Sequence, residues 1–167
     1  MGFLHLFSGE KGLPEGWAQL LRDRGARCKE VDYEDGRCPA DDLQLHGLFE
    51  ELGDDCDTWV DHVHAGIPCE TWSVRPGLPK RSHDEPEGLA SLSPAHRAQV
   101  DVANDLCERA CELAARVAVR GKTFSLEGPA YRGDDKLSFY WEALAHFVSL
   151  RQMPCVIALQ LATGAVW

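Results

Sequence analysis

An α/β domain with a mainly parallel, doubly wound sheet is predicted by three features of the sequence. Short apolar runs of strand formers alternate with longer segments of helical spacing, and glycine and proline mark the joints between them. Strands joined through helices lie parallel and are covered on both faces, which gives the Rossmann-like arrangement. The chain of 167 residues, 44% hydrophobic and 26% charged, has the size of one globular domain with a real core.

The first strand is expected in "GFLHLF", followed by the loop "SGEKGLPEG" and by a helix over "WAQLLRDRG" that Gly25 closes. "RCKEVDY" supplies a second strand. "ADDLQLHGLFEEL" supplies a helix, with Leu43, Leu45, Leu48, Phe49 and Leu52 spaced for one face. "TWVDHVHAG" reads as the third strand. From Arg75 to Ser93 the chain is rich in Pro, Gly, Ser and charge without periodicity, so a long exposed loop is expected. A long helix follows, with Ser93 as its cap, Pro94 at its first position and Gly121 at its end. "KTFSLEG" is expected as a fourth strand, "KLSFYWEALAHFVSL" as a helix and "PCVIALQ" as a fifth strand.

The net charge of -10 argues against a broad phosphate-binding surface, so any nucleic-acid contact has to be local. The seven cysteines are odd in number and scattered, with no CxxC pair and no zinc-type Cys/His spacing, so no metal site is expected and reduced thiols in a reducing compartment are. Cys107 and Cys111 share a helix face and are expected as small buried residues. The N-terminus has neither the basic start nor the long apolar run of a signal peptide, and no stretch of 18 apolar residues exists. An intracellular protein, nuclear or cytoplasmic and without a membrane partner, is the expectation.

Ligands of such sheets bind at the carboxyl ends of the strands, which read "FSGEKG", "VDYEDG", "AGIPCETWS", "LEGP" and "QLATG". Gly9 and Gly12 allow a tight turn with or without a ligand, and Asp32 is either a ribose acceptor or an ordinary loop carboxylate. "AGIPCETWS" and "LEGP" resemble the Pro-Cys and Glu-Asn-(Pro or Val) motifs of the DNA cytosine-5 methyltransferases, with "LHLFSG" in place of their "DLFSG". The motifs come in the family's order, and "QLATGAVW" looks like the start of its motif eight. The resemblance implies the S-adenosylmethionine-dependent methyltransferase fold over residues 1–167, incomplete at its C-terminus, as one catalytic core without a target-recognition region.

It also implies a chemistry. Carbon 5 of cytosine is a poor nucleophile, so the family adds a thiolate to carbon 6 and forms a covalent enamine that takes the methyl group. Cys69 is the implied thiolate, and Glu127 the implied acid at ring nitrogen 3, which calls for an enclosed carboxyl of raised pKa. S-adenosyl-L-methionine is the implied cofactor, with its sulfonium near the Phe7 ring, its ribose on Asp32, its adenine at Asp42, and Ser8, Gly9, Gly12 and Pro68 around it. DNA is the implied partner, with its target base extruded and met by Trp72, Ser73, Arg75, Lys80 and Arg81. On residue type alone, Trp72 also suits the packing of the sheet top, and the loop cations suit solvent.

The pattern is broken at Lys11, which stands where the family's cofactor loop has a glycine, and at Gly128, which stands where an asparagine follows the glutamate. The sequence leaves two alternatives open. One is an inactive methyltransferase-like domain that binds a nucleotide or a protein. The other is a hydrolase with Cys69 as nucleophile and a base among His62, His64, His83, His96 and His146; His62, His64 and Cys69 together also allow a metal site.

Overall fold

The structure is a computed structural model that describes residues 1–7, 16–32, 46–67, 69–72, 80–82, 84–127 and 153–165. The chain divides into two compact units, residues 1–67 with 108–127, and residues 68–107 with 128–167.

The first unit is built on β1 (Gly2–Leu6), β2 (Arg27–Val31), β3 (His62–Gly66) and β4 (Thr123–Glu127), in the order β2-β1-β3-β4 and all parallel. Period-2 alternation divides the residues between two unlike faces. Leu4, Leu6, Val63 and Ala65 on one face are fully buried, and burial of each large one contributes about 1.5–3 kcal/mol. The helix α2 (His46–Thr58) is tied over this face by Lys29, whose ammonium lies 2.6 Å from both Glu51 Oε1 and Asp55 Oδ2. The opposite face carries Glu30, His5, His64 and Ser125 in one register row. The short helix α1 (Trp17–Arg22) reaches it through Arg22, 2.7 Å from Glu30 Oε2, and Trp17, stacked on His64. Helices thus attach to both faces of a parallel sheet.

The helix α3 (Pro94–Val119) gives its C-terminal part to the first unit. There Arg116 pairs with Asp57 at 2.8 Å, and Arg120 donates to the carbonyls of Cys56, Thr58 and Val60. Those bonds supply partners that the last carbonyls of α2 lack within the helix. Gly2 is required at the start of β1, because a Cβ there would lie 2.1 Å from the Trp59 carbonyl oxygen.

Three expectations are corrected. The second helix was expected to end at Leu52, but α2 continues to Thr58 because Cys56 extends the buried stripe of Leu52 by one turn. The third strand accordingly begins at His62 rather than Thr58. The expected fifth strand, "PCVIALQ", lies within a helix, α4 (Pro154–Thr163). Short apolar runs fit either structure; here Pro154 opens the helix, Gly164 closes it at φ 68, and Val156 and Leu159 face inward at helical spacing. "QLATG" is therefore a helix end and not a strand end. Ser93 caps α3 as expected, its Oγ accepting from the His96 amide at 3.3 Å. No helix among the described residues is long and apolar enough to cross a membrane.

The described residues of the second unit form a 3-10 turn (Cys69–Thr71), the segments 80–82 and 84–92, the N-terminal part of α3, and α4. The described part of the expected loop is largely exposed, and its backbone is pinned by side chains. Its carbonyls at Pro86, Glu87 and Leu89 accept from Arg81, Asn104 and Arg97, so side chains satisfy a backbone that has no ladder. The expected helix over 136–150 lies outside the described residues.

Candidate active site at the carboxyl edge of the sheet

The strand order reverses between β1 and β3, the point where open parallel sheets bind ligands beyond their carboxyl ends. The chain leaves β1 through Phe7, which has φ 59, a left-handed conformation that is unfavourable for a bulky L-residue. Its amide donates to the Val31 carbonyl at 2.7 Å, so the backbone turns while still held by β2. Backbone strain of this kind concentrates at functional sites. Asp32 is half-buried one residue beyond β2. On the other side of the switch, Gly66 ends β3 in register with Glu127, the last residue of β4. Cys69 opens the 3-10 turn three residues after Gly66. Of the other expected site residues, Ser8, Gly9, Gly12, Asp42, Pro68, Ser73 and Arg75 lie outside the described residues, as do Lys11 and Gly128.

A chain of polar side chains leads to Glu127. Thr123 Oγ1 lies 2.7 Å from His62 Nδ1; His62 Nε2 lies 3.0 Å from Ser125 Oγ; Ser125 Oγ lies 2.8 Å from His64 Nδ1; and His64 Nε2 lies 3.7 Å from Glu127 Oε2. One arrangement of protons satisfies the three hydrogen bonds with both imidazoles neutral. Thr123 donates to His62, which donates to Ser125, which donates to His64, whose remaining N–H faces the Glu127 carboxylate. His5 joins from β1, its ring 5.0 Å from that of His64, and its buried Nδ1 has no hydrogen-bond partner among the described residues. The roles of His5, Thr123 and Ser125 were not anticipated. The signal was the paired alternation of His62 with His64 and of Thr123 with Ser125, legible only once the two strands are known to be neighbours.

Burial lowers the pKa of His5, His62 and His64 from the ordinary 6.5. Proximity to His64 adds to this for the other two, while Glu127 partly opposes it at His64. Below pH 6.5 the folded chain therefore binds fewer protons than the unfolded chain, whose histidines titrate there. This contribution to stability is complete above that pH and is lost as pH falls through the lowered folded values. Urea unfolding should give a lower midpoint near pH ~5.5 than near pH ~7.5. The difference should shrink in the His62→Gln/His64→Gln variant; an unchanged difference would locate the effect elsewhere.

The residues expected at DNA divide. Lys80 is half-buried and donates to Gln99 at 2.6 Å. Arg81, expected as a loop cation meeting phosphate, is only 2% exposed and turned inward. Its guanidinium lies 4.1 Å from the ring centroid of Trp72, itself 2% exposed, and donates to Thr71 Oγ1, Asn104 Oδ1 and the Pro86 carbonyl. In this conformation both are packing partners within the second unit, where neutral acceptors from the 3-10 turn, α3 and the loop hold the guanidinium. An apolar groove of about 380 Å³ lies between α1 and the sheet, lined by Met1, Phe3, Trp17, Leu20, Leu21, Arg24 and His62. Met1, Phe3 and His62 belong to the amino ends of the strands, so the groove is separate from the carboxyl edge. Compared with known proteins, the chain matches no family model, no curated protein and no solved structure.

Proposed function

We propose that the chain is a DNA cytosine-5 methyltransferase-like catalytic core that uses S-adenosylmethionine. The observation that carries the reading is the all-parallel β2-β1-β3-β4 sheet, whose carboxyl edge gathers Phe7, Asp32, Gly66 and Glu127, with Cys69 following three residues after Gly66. Phe7 and Glu127 thus stand at the ends of strands where such a sheet binds its ligands, and the one strained non-glycine residue among those described is Phe7.

In the proposed reaction the Cys69 thiolate adds to carbon 6 of an extruded cytosine while Glu127 protonates or hydrogen-bonds ring nitrogen 3. Carbon 5 takes the methyl group from the sulfonium, leaving S-adenosylhomocysteine. Loss of the carbon 5 proton to a base then expels the thiolate. The Glu127 side chain is 74% exposed, so on this reading the bound base supplies the enclosure that a carboxylic acid needs. The His64 ring faces the near side of that carboxylate, its Nε2 3.7 Å from Oε2.

Calorimetry with S-adenosylhomocysteine is the test. Binding is expected, and Asp32→Ala should weaken it roughly tenfold or more by removing a ribose acceptor. Absence of binding at millimolar ligand would overturn the proposal in favour of an inactive domain.

A further inference from the structure

Met1, Trp17 and Leu20 are large apolar side chains left exposed, and all three line the groove between α1 and the amino ends of the strands. Single exposed apolar residues are ordinary, but their convergence on one concave surface marks a binding site. The groove is held in shape. Phe3, which is buried, stacks on the His62 ring with centroids 5.7 Å apart, and Trp17 stacks on His64 at 5.3 Å. Its volume of about 380 Å³ lies within the range of small-molecule sites, roughly 300–1,000 Å³. Apart from the Trp17 indole N–H, the lining has two polar side chains. Both ring nitrogens of His62 are taken by Thr123 and Ser125. Arg24 is exposed and has no ion-pair partner among the described residues, whereas Arg22 on the same helix is paired with Glu30. The acids adjoining the lining residues in sequence are engaged elsewhere: Asp23 accepts from Gln19, and Asp61 from Lys122 and the Gly2 amide.

We propose that this groove binds a medium-chain fatty acid in its ionised form, with the acyl chain against Phe3, Trp17 and Leu20 and the carboxylate at Arg24. The free polar groups of the lining side chains are donors, and one of them carries a positive charge. An ionised carboxylate is acceptor-only and matches them, and an acyl chain adds no polar group that the apolar lining would leave unpaired. Nucleosides, sugars and peptides bring donors for which these side chains offer no free acceptor. A single guanidinium on a chain of net charge -10 suits a monoanion better than a phosphate dianion. Met1, Leu20 and Leu21 supply adaptable aliphatic surface, which suits a flexible chain.

The test is calorimetric titration of the chain with sodium decanoate at neutral pH, below the concentration at which it forms micelles. One equivalent should bind, and octanoate should bind about fourfold more weakly for each methylene removed. Decylammonium, the same chain with the opposite charge, should bind at least tenfold more weakly than decanoate, although the net charge of the protein favours it. Arg24→Glu should reverse that order. Leu20→Asp, at a position 45% exposed on α1, should abolish decanoate binding. Arg24→Glu decides the matter if Leu20→Asp fails to fold. Absence of binding, uptake of several equivalents, tighter binding of decylammonium by the unmutated chain, or decanoate affinity unchanged in either variant would overturn the proposal.

Discussion

Cys69→Ser should lower methyl transfer to cytosine by roughly 10³-fold or more, because the substitution removes the nucleophile and not merely a contact. A thiol is already a few per cent ionised near neutral pH, whereas a serine hydroxyl is almost entirely un-ionised. Glu127→Gln keeps the shape and removes the acid, and should cost about 10² to 10⁴-fold. Binding of S-adenosylhomocysteine should survive both changes, since neither residue is proposed to hold the cofactor. Methyl transfer in Cys69→Ser within tenfold of the unmutated chain would remove Cys69 from the chemistry, whatever the fate of the cofactor site.

The second large effect is structural. Arg81→Ala should destabilise the chain by about 3–5 kcal/mol, read as a fall in the urea midpoint. Truncation leaves a cavity against Trp72 and strips the donor from Thr71 Oγ1, Asn104 Oδ1 and the Pro86 carbonyl. Arg81→Met removes the same charge and donors but fills most of the volume, so it should cost markedly less. Equal losses in the two variants would mean that the lost guanidinium contacts, and not the cavity, carry the effect. A loss below ~1 kcal/mol in Arg81→Ala would contradict the inward placement.

The parallel sheet was legible because its strands are short, apolar and separated by helices, and all four expected runs from "GFLHLF" to "KTFSLEG" contain a strand. The caps of α3 were legible for a local reason, since Ser93, Pro94 and Gly121 act through their own backbone positions. The C-terminal apolar run was misread because its seven residues satisfy strand and helix alike, and the deciding Gly164 lies beyond them. Arg81 was misread because side-chain burial depends on partners distant in sequence, here Asn104 23 residues away. The same limit hid the route from Thr123 to Glu127. Its links join β3 to β4 across about 60 residues, and register is a tertiary property.

The central claim is that Cys69 adds covalently to cytosine, and trapping on duplex DNA containing 5-fluorocytosine tests it most directly. Fluorine cannot leave carbon 5 as a proton does, so after methyl transfer the thiolate cannot be expelled and the protein stays bonded to DNA. With S-adenosylmethionine present, the account predicts a protein–DNA complex that survives denaturation, carries the added methyl group, forms more slowly in Glu127→Gln and is absent in Cys69→Ser. A complex formed equally well by Cys69→Ser, or none from a chain that demonstrably binds S-adenosylhomocysteine, would contradict it.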